Sequence, residues 1–279
     1  SVFLGEQLQD VVEQLISTGS ATHSKERGKL QTGVKTLPDL AKDATDRNRT
    51  SPFAFTGNKF EFRMVGSKDS IAAPNTVLNT IVAEAFSEAC DVLEKADDFD
   101  LAVHDLIKTY LTEHQRIIFN GNGYSEEWVE EAARRGLPNI KSMVDAIPAL
   151  TTDKAVALFE KFQVFTKAEL ESRAEIQYET YSKAINIEAK AMIDVASKQI
   201  VPAVVKYTKT LADTVNSVTE AGAAANVQIE LLNETTALLE ETKAALARLI
   251  ELDGKSVEIP EGAELAHYFH EEVFPAMEA

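Results

Sequence analysis

Cysteine is almost absent from this chain, since Cys90 is the only one among its 279 residues. A single cysteine excludes an intrachain disulfide and fits a reducing cytoplasm. Long apolar runs are also missing, because no stretch approaches the roughly 18 residues that a membrane-spanning helix needs. The first residues lack the basic start and the apolar core of a signal peptide. The sequence therefore predicts a cytoplasmic protein.

Basic residues are scarce as well. Lys and Arg number 28 against 45 Asp and Glu, which gives a formal net charge of -17. Nucleic acids and anionic membranes are therefore not expected as partners, because binding to either one requires a basic surface. The hydrophobic share of 44% is typical of a globular chain, and the length is sufficient for one or two domains.

Strand-like alternation is clearest in one short region, residues 53–64. Alternation with period two predicts strands that have one face in the core, and Thr56-Gly57-Asn58 supplies residues that favour a turn. We therefore expect an antiparallel hairpin. Its second strand is predicted to bury Phe60, Phe62 and Met64 and to direct Lys59, Glu61 and Arg63 to the opposite side.

The charged side of this hairpin has two interpretations. It is either a solvated strand face, which is the commoner position for charged residues at period two, or the wall of a charged cleft. Arg47 and Arg49 add positive charge just upstream, in an otherwise acidic chain. A carboxylate flanked by cations suits a site for phosphates, a divalent metal and an anionic substrate. The residues alone leave both interpretations open.

Most of the remaining chain has helical periodicity, so the predicted fold class is α+β and predominantly α. A capping box at Thr166 and Glu169 begins a long helical pattern that reaches about Val218, with a kink or break expected at Pro202. A second long helix ends near Asp253, so the two are expected to form an antiparallel helical hairpin. Shorter helices are predicted at residues 4–19, 74–95, 101–111, 125–135, 143–147 and 154–162.

Two short patterns could be functional sites, but in each the residues favour an ordinary structural role. Asn120-Gly121-Asn122-Gly123 lacks the longer dinucleotide-binding pattern and a preceding strand, so a turn is favoured over a phosphate cradle. His267 and His270 share one face of a short terminal helix and could ligate a metal. No third or fourth ligand is evident for them, so a partly exposed surface helix is favoured.

Three stretches resemble glutamine synthetases, in particular the large type III class. They are NRTSPFAFTGNKFEFR at residues 48–63, Ala73-Pro74-Asn75-Thr76, and FNGNGYSEEWVEEAARRGLPN at residues 119–139. The resemblance implies that residues 1–95 are the last part of the catalytic domain, with a helical insert at 1–20 and a loop at 20–44. It implies that residues 96–279 are a helical carboxy-terminal domain, and that the hairpin is a remnant of the catalytic barrel.

The resemblance also implies a chemistry and a role for each charged residue. Glutamine synthetases use ATP and Mg²⁺ or Mn²⁺ to join ammonia to L-glutamate through γ-glutamyl phosphate. By position, Glu61 would ligate a metal, Arg63 would bind glutamate, and Arg49 would contact the transferring phosphoryl group. Lys59 and Arg47 would lie near the nucleotide phosphates. Shorter family members carry a further Arg where this chain has Ala54, which leaves that function in doubt here.

Most other parts of such an enzyme are missing from this sequence. No further acidic metal-binding strands, His-bearing metal segment or amino-terminal domain are recognisable. The sequence therefore predicts the carboxy-terminal portion of a cytoplasmic, homo-oligomeric ligase, and it predicts that this chain alone is inactive. The alternative is a non-catalytic helical module for oligomerisation or scaffolding.

Overall fold

The computed structural model describes residues 1–25, 29–30, 40–41, 50–63, 66 and 69–279. Arg47, Arg49 and Met64 lie outside the described residues, as do most of the predicted extended segment at 34–40 and part of the polar loop before it. The chain divides into two compact units, Ser1–Asn139 and Ile140–Ala279. The domain boundary that the resemblance implies, after residue 95, stays a prediction.

The described residues of the first unit form two small sheets. Strands β1 (Val2–Phe3), β4 (Phe53–Phe55) and β5 (Phe60–Phe62) form one sheet in the order β1-β4-β5, and β2 (Lys29–Leu30) pairs antiparallel with β3 (Leu40–Ala41). β1 runs parallel to β4, whereas β4 and β5 are antiparallel. Gly57 adopts a φ of 95° in the connecting turn, a conformation that favours glycine. The predicted hairpin is confirmed.

The aromatic face of the hairpin differs from the prediction. Phe60 and Phe62 remain 49% and 36% exposed, so the expectation that β5 buries them is wrong. Their rings pack against neighbours on the same face of the sheet, with Phe53 stacked on Phe60 at 5.3 Å between ring centroids. Ring stacking within one face leaves the outer side of each ring open, because burial of a sheet face requires a second layer packed on it.

Four helices complete the described part of the first unit, and their ends follow local capping rules. Gly19 closes α1 in the left-handed conformation, and the side chains of Asp98 and Ser125 accept hydrogen bonds at the starts of α3 and α4. These ends lie close to the predicted ones. The helices are α1 (Glu6–Thr18), α2 (Ala72–Leu93), α3 (Phe99–His114) and α4 (Glu126–Arg134).

The second unit is entirely helical. Its helices are α5 (Met143–Ala146), α6 (Asp153–Lys161), α7 (Lys167–Val195), α8 (Val201–Glu220), α9 (Asn226–Lys255), α10 (Ala263–Tyr268) and α11 (Phe274–Glu278). Short 3₁₀ turns at Gln115–Ile117 in the first unit and at Ile147–Thr151 and Ser256–Glu258 in the second connect neighbouring helices. None of the helices in the described parts of the chain is long and apolar enough to cross a membrane.

The long helices confirm the predicted capping box and the predicted interruption. Thr166 and Glu169 satisfy each other's backbone N–H groups at the start of α7. A π-helical turn at Ala196–Ile200 separates α7 from α8, two residues before Pro202. α8 and α9 pack against each other and are joined by a short turn at Gly222, which gives the antiparallel helical hairpin.

Two adjoining apolar clusters hold the second unit together, and the terminal helices contribute to both. The first contains Ile185, Ala189, Leu249, Leu252, Phe269 and Val273, and the second contains Val144, Ile147, Ala174, Tyr178 and Ala266. A second π-helical turn, Phe269–Val273, supplies two of the most deeply buried side chains. The fold is α+β and predominantly α, as predicted.

Candidate functional site

The structure brings Lys59, Glu61 and Arg63 together on one side of β5. Glu61 lies in the middle of the strand and pairs with Ala54 of β4. One of its carboxylate oxygens, Oε1, is 3.7 Å from the Lys59 Nζ atom. The other, Oε2, accepts hydrogen bonds from Nη2 and Nε of Arg63 at 3.1 and 3.3 Å. We call this set the charged face.

Exposure falls steadily along the charged face. The Lys59 side chain is 67% exposed, Glu61 is 40% exposed, and Arg63 is only 18% exposed. The backbone N–H of Arg63 also donates to the carbonyl of Pro52 at 2.8 Å, just beyond the strand pair. Arg63 is therefore the fixed end of the face, and Lys59 is its solvated end.

The two ion pairs of Glu61 differ in the free energy that is lost when each one is broken. An exposed lysine contact contributes about 0–1 kcal/mol, because water screens it and the long side chain loses entropy. The paired hydrogen bonds from Arg63 are charge-assisted and come from a rigid planar group. Glu61 Oε1 can therefore leave Lys59 for a ligand at little cost, while Oε2 remains held by Arg63.

A divalent cation would find one ligand on the charged face. Mg²⁺ favours about six oxygen ligands, some from water or phosphate, and carboxylates are its usual protein ligands. Within the described ranges, no three His, Cys, Asp or Glu side chains are arranged to hold a metal. Glu61 is of the right chemical type, so the charged face fits a contributor to a metal site whose other ligands come from elsewhere.

The terminal histidines have separate contacts. His267 Nδ1 lies 3.4 Å from Glu271 Oε1, whereas His270 Nδ1 lies 3.2 Å from the Tyr181 hydroxyl. Burial is the largest cause that raises the pKa of Tyr181, and the charges of Asp145 and Glu188 add to it. His270 thus belongs to the packing of α7 against the second π-helical turn.

By the family resemblance, Ala54 stands where a further Arg is expected in shorter glutamine synthetases. It is fully buried and lies across the strand pair from Glu61. A methyl group therefore fills the space beside Glu61 in this chain. Arg47 and Arg49, predicted to contact phosphates, lie outside the described residues, and their roles stay predictions.

Sequence reasoning missed the contacts of the segment that contains Asn120 and Gly123. Its turn character was predicted and is observed, because Asn122 and Ser125 hydrogen-bond within it. Asn120 also accepts hydrogen bonds from Leu4 and Gly5, more than a hundred residues away. The density of Asn and Gly was the one available signal. It indicates a tight turn but does not reveal which distant residues the turn contacts.

A glutamine synthetase family model and proteins named glutamine synthetase match this chain. The family model described as glutamine synthetase C-terminal domain matches residues 102–219. The chain is 36% identical over 286 residues to a protein of Dictyostelium discoideum named type-3 glutamine synthetase, covering 99% of this chain and 39% of that protein. It is 36% identical over 287 residues to a glutamine synthetase of Butyrivibrio fibrisolvens, covering 100% of this chain and 40% of that protein.

A glutamine synthetase of Bacteroides fragilis is 37% identical over 213 residues, covering 74% of this chain and 29% of that protein. The chain therefore belongs to the glutamine synthetase family. Within that family its similarity extends along nearly its whole length to a type-3 enzyme, which confirms the type III resemblance. The chain spans about two fifths of the length of the first two relatives.

Proposed function

We propose that the full-length protein joins ammonia to L-glutamate with ATP, and that this chain supplies one wall of the reaction site. Family membership supports the reaction class. The observation that carries the site is Glu61, held between Lys59 and Arg63 on the side of β5 that faces away from the phenylalanine rings. The chain spans only part of its relatives, so the remaining site residues would come from the rest of the protein.

Glu61 would contribute a carboxylate ligand to Mg²⁺ or Mn²⁺. The metal, when bound, supplies positive charge that neutralises phosphate oxygens. The weakly held Oε1 of Glu61 would be the ligand atom, because it gives up only a solvated contact with Lys59 at 3.7 Å. Lys59 would then be available to approach the nucleotide phosphates.

Arg63 would bind the substrate glutamate. Its planar guanidinium can donate two parallel hydrogen bonds to a carboxylate. The low exposure of the side chain limits the orientations that it can adopt. The hydrogen bond from its backbone to Pro52 fixes the base of the side chain. By sequence position, Arg49 would neutralise the transferring phosphoryl group and Arg47 would assist.

In the proposed reaction, a side-chain carboxylate oxygen of glutamate attacks the γ-phosphorus of ATP, and ADP leaves. Ammonia then attacks the acyl carbon of γ-glutamyl phosphate, inorganic phosphate leaves, and the nitrogen loses a proton. The arginines orient the glutamate and reduce the repulsion between its carboxylate and the phosphates. We further propose a homo-oligomeric, cytoplasmic protein.

The test is glutamine formation by the full-length protein with glutamate, ammonium, ATP and Mg²⁺, followed by mass spectrometry of the product. The 279-residue chain is assayed in parallel and should form none, because Glu61 is one ligand and a metal needs several. Absence of ATP-dependent glutamine from the full-length protein would overturn the proposal. That outcome would favour the helical scaffold, the alternative that the sequence left open.

A further inference from the structure

The segment of residues 118–123 runs alongside the strands that lead into the charged face. Ile118 forms a parallel bridge with Val2 of β1, and the Phe119 N–H donates to the Val2 carbonyl at 3.0 Å. The Asn120 Oδ1 atom then accepts from two successive backbone N–H groups, Leu4 at 2.9 Å and Gly5 at 3.0 Å. One side chain thus closes the end of β1 and fixes the entry to α1.

The same segment reaches the chain immediately before β4. The Gly123 N–H donates to the Thr50 carbonyl at 2.8 Å. A Cβ atom on Gly123 would lie 2.6 Å from that carbonyl oxygen, which is backbone and has no rotamer to change. Glycine is therefore required here by close approach. At Gly121 a Cβ atom would meet the Phe119 ring instead, at 2.5 Å from its tip.

A short path joins Thr50 to the charged face. Ser51 is fully buried, and the carbonyl of Pro52 accepts from the N–H of Arg63 at 2.8 Å. Two backbone hydrogen bonds, one to the carbonyl of Thr50 and one to the carbonyl of Pro52, therefore hold residues 50–52 in place. Arg49, proposed to contact phosphate, directly precedes Thr50 in sequence.

α4 holds the segment from its other side. The Arg135 guanidinium donates to the Ile118 carbonyl at 2.9 Å and lies over the Trp128 ring, 5.3 Å from its centroid. Phe119 stacks on the same indole at 4.1 Å between ring centroids. The segment is thus held by contacts with α4 and its C-terminal end, and it in turn hydrogen-bonds to the chain at β1 and before β4.

We propose that Asn120 and Gly123 are positioning residues that set the placement of Arg63 and of the chain after Arg49. This inference rests on the proposed function of the charged face. Both residues lie inside the stretch matched by the C-terminal domain family, residues 102–219. That stretch therefore takes part in the reaction through backbone placement, although it contains none of the proposed contact residues.

The test uses the full-length protein with two pairs of variants. Gly123→Ala should lower kcat/KM for glutamate on the order of 10²-fold, because a displacement near 1 Å at a reaction site has that effect. Gly254→Ala is its matched control, since a Cβ there meets nothing within 4 Å. Asn120→Ala should lower kcat/KM similarly, whereas Asn120→Asp keeps the acceptor oxygens and should retain activity within about threefold.

Amide hydrogen exchange separates this inference from the proposed function. In Gly123→Ala and Asn120→Ala, the amide of Arg63 should exchange faster than in the parent, while residues 226–255 stay unchanged. If the full-length protein forms no glutamine, this readout still decides the positioning role. Parental exchange at Arg63 with parental kinetics in both variants overturns the inference and leaves the proposed function intact. If Gly123→Ala does not fold, the Asn120 pair decides alone.

Discussion

Glu61 on β5 and Glu251 on α9 each lie between a lysine and an arginine. Glu251 contacts Lys255 at 2.6 Å and Arg248 at 3.5 Å, at helical spacings of four and three residues. All three of these side chains are about half exposed. On β5 the exposure instead falls from 67% at Lys59 to 18% at Arg63.

The difference lies in what holds each set in place. Helix geometry alone brings Arg248, Glu251 and Lys255 to one side, so that set would form on any stable helix. The charged face of β5 depends on strand pairing with β4 and on distant hydrogen bonds through Pro52 and Thr50. The helical set is a local solvated face, whereas the strand set has one end that distant contacts hold and one solvated end.

Arg63→Lys should produce the largest change among variants of the two sets. Lysine keeps the charge but loses the planar fork, so in the full-length protein KM for glutamate should rise more than KM for ATP. The loss in kcat/KM for glutamate should be roughly 10- to 100-fold, as for a charge-assisted contact. Arg248→Lys is the matched control in steady-state kinetics and should stay within about twofold.

Glu61→Gln should have the next largest effect. The amide keeps the shape but loses the charge that a divalent cation needs, so the Mg²⁺ concentration for half-maximal rate should rise about tenfold. Excess Mg²⁺ or Mn²⁺ should restore part of the rate. Glu251→Gln, titrated with metal in the same way, should match the parent. Equal metal dependence of both variants would identify the charged face as merely solvated.

Ala54→Leu should disturb the charged face through packing. Ala54 is fully buried across from Glu61, and overpacking of such a site costs about 1–3 kcal/mol. Ala247→Leu adds the same atoms on the exposed side of α9, beside Arg248, and should change stability by less than about 0.5 kcal/mol. Denaturant unfolding of the full-length variants measures both. A smaller loss at Ala54 than at Ala247 contradicts the packing argument.

Acid should weaken the helical set by a small amount. The pKa of Glu251 is lowered from its usual 4.5. The hydrogen bond from Lys255 is the largest cause, and the positive charges of Lys255 and Arg248 add to it. A lowered folded-state pKa gives stabilisation that is present above the unfolded value and is lost as pH falls through the folded value. The difference in melting temperature between the parent and Glu251→Gln should therefore shrink between pH 7 and pH 3.

Glu241→Gln serves as the control for this measurement, because Glu241 is also exposed on α9. Its difference from the parent should change less over the same pH interval. A Glu251→Gln difference that grows on acidification would contradict the assigned sign.

Local rules predicted most of the fold, and distant contacts account for what they missed. The capping box at Thr166 needs only a partner three residues away, and period two places Lys59, Glu61 and Arg63 on one side of a strand. Asn120 instead bonds backbone 116 residues earlier, which no spacing rule can reveal. Exposure of Phe60 and Phe62 was missed for the same reason, since burial depends on a second layer.

The two π-helical turns of residues 140–279 let continuous helical segments accommodate a proline. In each, a backbone N–H reaches five residues back, from Val201 to Ala196 and from Phe274 to Phe269, and a proline follows at the next position. Proline cannot donate to the carbonyl four residues before it, and its ring clashes with that carbonyl in a regular helix. Each wide turn holds one residue more than an α-helical turn. Deletion of that residue would restore α-helical spacing and bring the proline ring against the carbonyl four residues before it, so the helical unit should be destabilised by shortening at either turn.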